Sequence, residues 1–290
     1  MNKFLSTLIV VLIVAIAAAG GLYWWQLRQL GPSGQSLAVP VATAPAPTAS
    51  SAAPPAEPAI QFPIDAAGAE KPALPPLADS DKYLAGEIGA LLPRNDVLKF
   101  LQLDGFARRV VATVDNLARP HAAPMLWPVN PTPGRFTTSE AGAAPATISA
   151  ANSQRYTPLV RFIESVDTTK AVALYVSAYP LFQQAYEELG YPRRYFNDRL
   201  VAVIDHLLAT PAARDGLGVK LTEVKGPIAP ARPWVRYEFS DASLESLSSG
   251  QKMMLRAGPD NQARLKVKLR EIRGQITGAG MAKQGGAAKP

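Results

Sequence analysis

From Phe4 to Trp25 the chain runs for 22 residues without a formal charge, and this stretch limits where the remainder can fold. As a helix it would be roughly 33 Å long, about the thickness of a bilayer's hydrocarbon core. Phe4, Leu8, Ile13 and Ile16 belong to its strongly apolar part. Tyr23, Trp24 and Trp25 close it with aromatic groups suited to the headgroup level. The pattern predicts a single membrane anchor whose direct partner is the lipid bilayer. A cleaved signal peptide is the competing reading, because Ala17, Ala18 and Ala19 offer a small-residue cleavage pattern behind Lys3. The apolar run continues past that point through Leu22 to two tryptophans, which favours retention. Either reading sends the rest of the chain across the membrane, and the short N-terminal flank favours a cytoplasmic N-terminus.

Composition divides the chain beyond this segment. Residues 31–78 hold eleven prolines and many alanines with few large apolar groups. Such a segment buries too little apolar surface to offset the entropy of ordering, so a disordered, extended tether is expected. Residues 79–276 are long enough for one sizeable core, and residues 277–290 are a Gly/Ala/Lys-rich tail that frays. The predicted organisation is therefore an anchor at 1–30, a tether at 31–78, a globular domain at 79–276 and a tail at 277–290. Residues 79–247 carry 18 basic and 18 acidic side chains, so the net charge of +7 resides in the last 43 positions. The high pI is a property of the chain's end and not of a basic fold. Cysteine is absent, which excludes disulfides and thiol chemistry. Two distant histidines do not make a zinc centre, and neither a phosphate-cradling glycine turn nor an EF-hand spacing is present. No cofactor or metal is expected.

Periodicity predicts a mostly α domain with one small antiparallel β-hairpin. Helices are expected at 80–92, 106–117, 155–166 and 195–208. Another spans 168–189, kinked or divided by Pro180 and stopped by Gly190. Pro93 ends the first helix, and Val97–Leu101 restarts the chain. Pro120, Pro124, Pro128, Pro131 and Pro133 forbid a long helix over 119–151. That region reads as an irregular loop pinned by Trp127, followed by a short extended piece at Arg135–Thr138. Thr210-Pro211 predicts a short helix. Val219–Val224 and Trp234–Phe239 alternate as the two strands of a hairpin with a long loop. A helix from Asp241 to Arg256 and a last one from Asn261 to Ile276 complete the domain.

Three stretches carry a resemblance: Asn152–Tyr156, Tyr179–Pro192 and Gln251–Asn261. Together they resemble the domain-of-unknown-function family numbered 3014, over about residues 74–276. The resemblance implies a bacterial envelope protein in which one membrane segment precedes one mostly helical domain. It implies no activity. Location in the inner membrane with the domain in the periplasm is the resulting expectation.

Candidate chemistry is sparse. Ser249 and Lys252 match Ser-x-x-Lys, a nucleophile and base pair one helical turn apart, but the partner motifs of such enzymes are missing. A helix cap and a surface lysine explain the same residues. Asp205 and His206 are adjacent and so do not face each other on a helix; a packed histidine explains His206. Arginines and tyrosines cluster at Arg155, Tyr156, Arg161, Arg193, Arg194 and Tyr195, residue types that dominate binding hot spots. They suggest a groove for an anionic polymer or an envelope protein. The alternative is tyrosines packed between helices with arginines solvating the rim. The last helix carries Arg264, Lys266, Lys268, Arg270 and Arg273, which fits an anionic surface or a packed helix with a basic edge. Nucleic acid enters only if the domain faces the cytoplasm. The leading expectation is a non-catalytic binding or assembly module; an enzyme acting on envelope polymers and a cytoplasm-facing nucleic-acid binder are the alternatives.

Overall fold

The computed structural model describes residues 59–64, 73–139, 145–222 and 232–278, all within the compact unit Pro55–Pro290. The Phe4–Trp25 segment lies outside the described residues, as do the tether up to residue 58 and the tail from 279. Among the described residues no helix is long and apolar enough to cross a membrane.

The domain is mostly helical, as its periodicity requires, but it carries two small antiparallel hairpins. In chain order its helices are α1 (Ser80–Leu91), α2 (Arg94–Phe100), α3 (Phe106–Leu117), α4 (Ala150–Gln154), α5 (Thr157–Ser165), α6 (Thr168–Ser177), α7 (Tyr179–Glu188), α8 (Phe196–Leu208), α9 (Ala242–Glu245), α10 (Ser249–Arg256) and α11 (Pro259–Gly278). Strands β1 (Thr138–Ser139) and β2 (Thr147–Ile148) form one hairpin; β3 (Val219–Leu221) and β4 (Tyr237–Phe239) form the other. In the second hairpin Val219 faces Phe239 and Leu221 faces Tyr237.

Helix α3 is the centre of the packing. Its apolar stripe, with Ala107 and Val111 fully buried, lies against α7 and α8. There Leu84, Tyr179, Phe182, Tyr186 and Phe196 complete the main core. Phe196 has no exposed surface, and burial of such a side chain stabilises by about 1.5–3 kcal/mol. Helix α11 lies across α5, α6 and α8 and buries Ile276 against Val172, Val201 and Ile204. A third cluster joins Leu217, Val219, Phe239 and Leu255 beneath the second hairpin.

Several boundaries depart from expectation for identifiable reasons. Pro180 divides the 168–189 stretch into α6 and α7, where it occupies the first turn of α7 and removes no helical donor. Gly190 (φ +112°) then ends α7: its N–H donates to the Glu187 carbonyl, and the Tyr191 N–H donates to that of Tyr186. The helix expected at 241–256 is two helices. Asp241 caps α9 through the Ser243 N–H, and Ser248 caps α10 in a reciprocal box with Gln251. The expected 155–166 helix likewise starts earlier and breaks, with Ser149 capping α4. No helix forms at Thr210-Pro211. Instead the Gln262 side chain accepts from the Ala213 N–H and donates to the Pro211 carbonyl, replacing helical partners.

The tether also begins to fold sooner than its composition suggests. Asp198 accepts the N–H groups of Gln61 (3.0 Å) and Phe62 (2.8 Å), the Tyr195 hydroxyl accepts that of Ile64 (2.7 Å), and Ile64 and Leu77 are buried. Residues 59–64 therefore lie on the domain, although their composition places them in the disordered tether. The proline loop, in turn, is fastened by backbone pairing. Leu101 bridges Val129, and the Gln102 N–H donates to the Pro128 carbonyl.

Candidate binding cleft

Two adjoining clefts open between the proline loop, the β3–β4 hairpin and α10. The smaller, about 210 Å³, is walled by Phe136, Arg155, Tyr156, Trp234 and Tyr237, with Arg256 at its base. The larger, about 590 Å³, shares Val235, Tyr237 and Arg256 and continues to His121, Trp127, Ser249 and Lys252.

Local structure places each wall. Arg155 ends α4 and spans back to the loop: Nε donates to the Pro133 carbonyl (3.0 Å), Nη2 to that of Gly134 (3.1 Å) and Nη1 to Asn152 Oδ1 (2.9 Å). It thereby shapes the loop that forms the rim. The Phe136 and Tyr237 rings lie 5.4 Å apart, and the Arg135 guanidinium covers one face of Trp234 at 4.0 Å. Arg256, in the last turn of α10, sends Nη2 to the Tyr237 carbonyl (2.7 Å), and its guanidinium lies 5.2 Å from the Phe239 ring. Its Nε is buried and has no hydrogen-bond partner among the described residues. Burial lowers its pKa, against the opposing field of Glu245.

Ser249 and Lys252 border the larger cleft but do not act on each other. The Ser249 hydroxyl donates to the Asn116 carbonyl (2.9 Å), and the Lys252 ammonium pairs with Glu245 (2.7 Å). Glu245 also accepts the Phe239 N–H (2.8 Å). Burial raises its pKa, but the hydrogen bonds from Lys252 and Phe239 and the lysine's charge outweigh this and hold it below the ordinary glutamate value. His206 Nε2 lies 2.9 Å from Ser248 Oγ, which is itself the cap of α10.

The Arg/Tyr cluster divides. Arg155 and Tyr156 enter the cleft. Arg161, Arg193 and Arg194 are exposed and do not line it. Tyr195 holds residue 64. Tyr175 and Tyr179 pack between helices, their phenols pushed far up by burial; each bonds a buried or half-buried amide, Tyr175 to Asn197 and Tyr179 to Gln183. The basic residues of α11 mostly bind the domain: Arg264 reaches Glu164, Lys266 the Thr210 carbonyl, Lys268 the Val166 carbonyl and Arg273 Asp205.

Two groups escaped the sequence reading. One is buried Asp115, which binds Arg119, Arg199 (Nε to Oδ1, 3.0 Å) and the Tyr191 hydroxyl (3.3 Å). The field of Asp115 raises the pKa of Arg119. The other is Arg256 with Phe136, Trp234 and Tyr237. Their only sequence signal was a cation closing a helix that faces an aromatic-rich strand.

These features define a helical domain with a cationic, aromatic-walled cleft at its hairpin end. The family model described as Protein of unknown function (DUF3014) matches residues 106–273, and the chain belongs to that family. The matched span contains every wall residue of the smaller cleft. Comparison with curated proteins and with solved structures gives no match.

Proposed function

We propose that this chain is a non-catalytic binding module of the bacterial envelope. The Phe4–Trp25 segment holds it to the inner membrane, and its domain works in the periplasm through the cleft at the hairpin end. One observation carries the reading: arginines and aromatic rings converge on an open cleft, whereas the serine and lysine of the Ser-x-x-Lys motif are each committed to another partner. Planar guanidinium groups beside half-buried rings supply strong contacts with little side-chain entropy to lose. The length and charge-free character of the leading segment support the anchor. The retention of most α11 cations in domain contacts supports a packed helix over a nucleic-acid surface.

The test is site-specific photo-cross-linking of the full chain in native membranes. Val235, at the cleft rim and 66% exposed, is replaced by a photoreactive residue, with Val267 on α11, 54% exposed, as reference. Envelope components captured from position 235 and not from 267 are expected. Equal capture at both, or at 267 alone, overturns the cleft as the binding surface. A reporter fused at the C-terminus tests the orientation: periplasmic signal is expected, and cytoplasmic signal contradicts it.

A further inference from the structure

The chemistry of the smaller cleft narrows its occupant, given the binding reading above. Among the described residues two arginines line it and no carboxylate does. Arg256 is the informative one. Removing a guanidinium from water costs several kcal/mol unless paired charge and hydrogen bonds compensate. Among the described residues its one hydrogen bond goes to the Tyr237 carbonyl, and its Nε has none. Glu245, the acid whose field reaches it, is already taken by Lys252 and the Phe239 N–H. Among the described residues, then, the Arg256 guanidinium has one carbonyl partner and no ion-pair partner of its own.

Size and walls specify more. At about 210 Å³ the space admits one ring and not a drug-sized ligand. Arg135 already covers one face of Trp234, so a planar base cannot be sandwiched there. A saccharide ring needs one apolar face to lie against, with hydroxyl partners at its edge. Tyr156 and Tyr237 present both a ring and a phenolic hydroxyl. The adjoining larger cleft shares Tyr237 and Arg256, so a chain can continue beyond the first unit.

We infer that the smaller cleft is a subsite for one acidic unit of a polysaccharide: a sugar ring whose carboxylate or phosphate meets Arg256 and whose apolar face lies on the Tyr237–Trp234 wall. Arg155 fixes the rim, and the polymer continues into the larger cleft.

The experiment is calorimetric titration of the full chain in lipid nanodiscs with three oligosaccharides of equal length: an oligogalacturonate, a phosphorylated dextran and an unmodified dextran. Binding of at least one acidic oligomer, at least tenfold tighter than the neutral one, is expected, and the two acidic arms tell carboxylate from phosphate. Arg256→Met lowers that affinity at least tenfold, Trp234→Ala lowers it severalfold, and Arg94→Met, on the exposed start of α2, leaves it unchanged. If Arg256→Met does not fold, Trp234→Ala and Arg256→Lys carry the test; the lysine keeps the charge and loses the bidentate geometry, so it too weakens binding. Equal binding of the neutral oligomer, or insensitivity to these substitutions, overturns the inference. So does the absence of any acidic binding while Val235 still cross-links to an envelope component, which leaves the binding module standing and removes only the sugar subsite.

Discussion

Asp115 and Arg256 are both charged groups withdrawn from water, and their surroundings are opposite. Asp115 lies on α3 with its side chain 4% exposed, and it meets Arg119, Arg199 and the Tyr191 hydroxyl. Its lone pairs and its charge are answered within the domain. Arg256 lies at the end of α10 among rings and, among the described residues, has one carbonyl as partner and an unmatched Nε. The same residue types, arginine and tyrosine, build both places. In the first they fasten α3 to α8 and need nothing further. In the second they leave a positive charge beside an opening. Enrichment of arginine and tyrosine is therefore not itself a sign of a site; the informative difference is whether the acid is already present.

The contrast can be broken by substitution, and the largest effect belongs to the closed cluster. Asp115→Asn leaves Arg199 half-buried against a neutral amide, and a loss of about 3 kcal/mol in urea unfolding is expected, the lower end for a broken buried pair because both arginines keep some access to water. A loss below about 1 kcal/mol would show that the cluster does not fasten the helices.

Next in size is Gly250, where α10 passes α3 and α8. A Cβ there would lie 2.7 Å from Leu207 Cδ2 and 2.8 Å from the Leu117 carbonyl oxygen. Backbone cannot yield as a side chain can, so Gly250→Ala should cost about 1–3 kcal/mol. Because α10 carries Arg256, the same substitution should also weaken ligand binding, whereas Asp115→Asn in a still-folded sample should not. Equal binding defects from both would erase the distinction between the two regions.

Asp198→Ala removes the acceptor of two backbone N–H groups from residues 61 and 62. A loss of about 1 kcal/mol and faster proteolysis within residues 59–64 are expected. An unchanged cleavage rate would mean that Asn197, Tyr195 and the burial of Ile64 suffice to hold the segment.

The smallest effect is a pH dependence at the boundary between the clefts. Glu245 is held below the ordinary glutamate pKa of 4.5 in the folded state, so its contribution to stability is present above that value and is lost as pH falls through its folded pKa. Unfolding curves of Glu245→Gln and the parent chain should differ near neutrality and converge as the acid limb is descended. A difference that grows below pH 4.5 would contradict the assigned sign.

Much of the helical frame was legible because it is local. Phe106, Val110, Val111 and Val114 repeat at helical spacing, and α3 spans the residues they mark. Pro180 and Gly190 act on their own neighbours, and α7 begins and ends with them. The break between α9 and α10 was written in Ser248 and Gln251, a capping box hidden beneath continuous apolar periodicity. Other features depend on distant partners. Residues 59–64 have linker-like composition and are ordered by Asp198, Asn197 and Tyr195 more than 130 positions away. Of the proposed site, only Arg155 and Tyr156 were marked by enrichment. Arg256 reads as an ordinary cation in a helix's last turn, and only the placement of β4 and Phe136 beside it withdraws it from water.

The most direct measurement sets Arg256→Met beside Asp115→Asn, recording for each the unfolding free energy and the affinity for a carboxylated oligosaccharide. Arg256→Met should change stability by less than about 1 kcal/mol, since an unmatched buried charge is replaced by an apolar chain of similar length, while affinity falls at least tenfold. Asp115→Asn should do the reverse. An Arg256→Met chain that unfolds readily and, while folded, binds as tightly as the parent would show that this arginine serves the fold and that the cleft takes no acidic ligand.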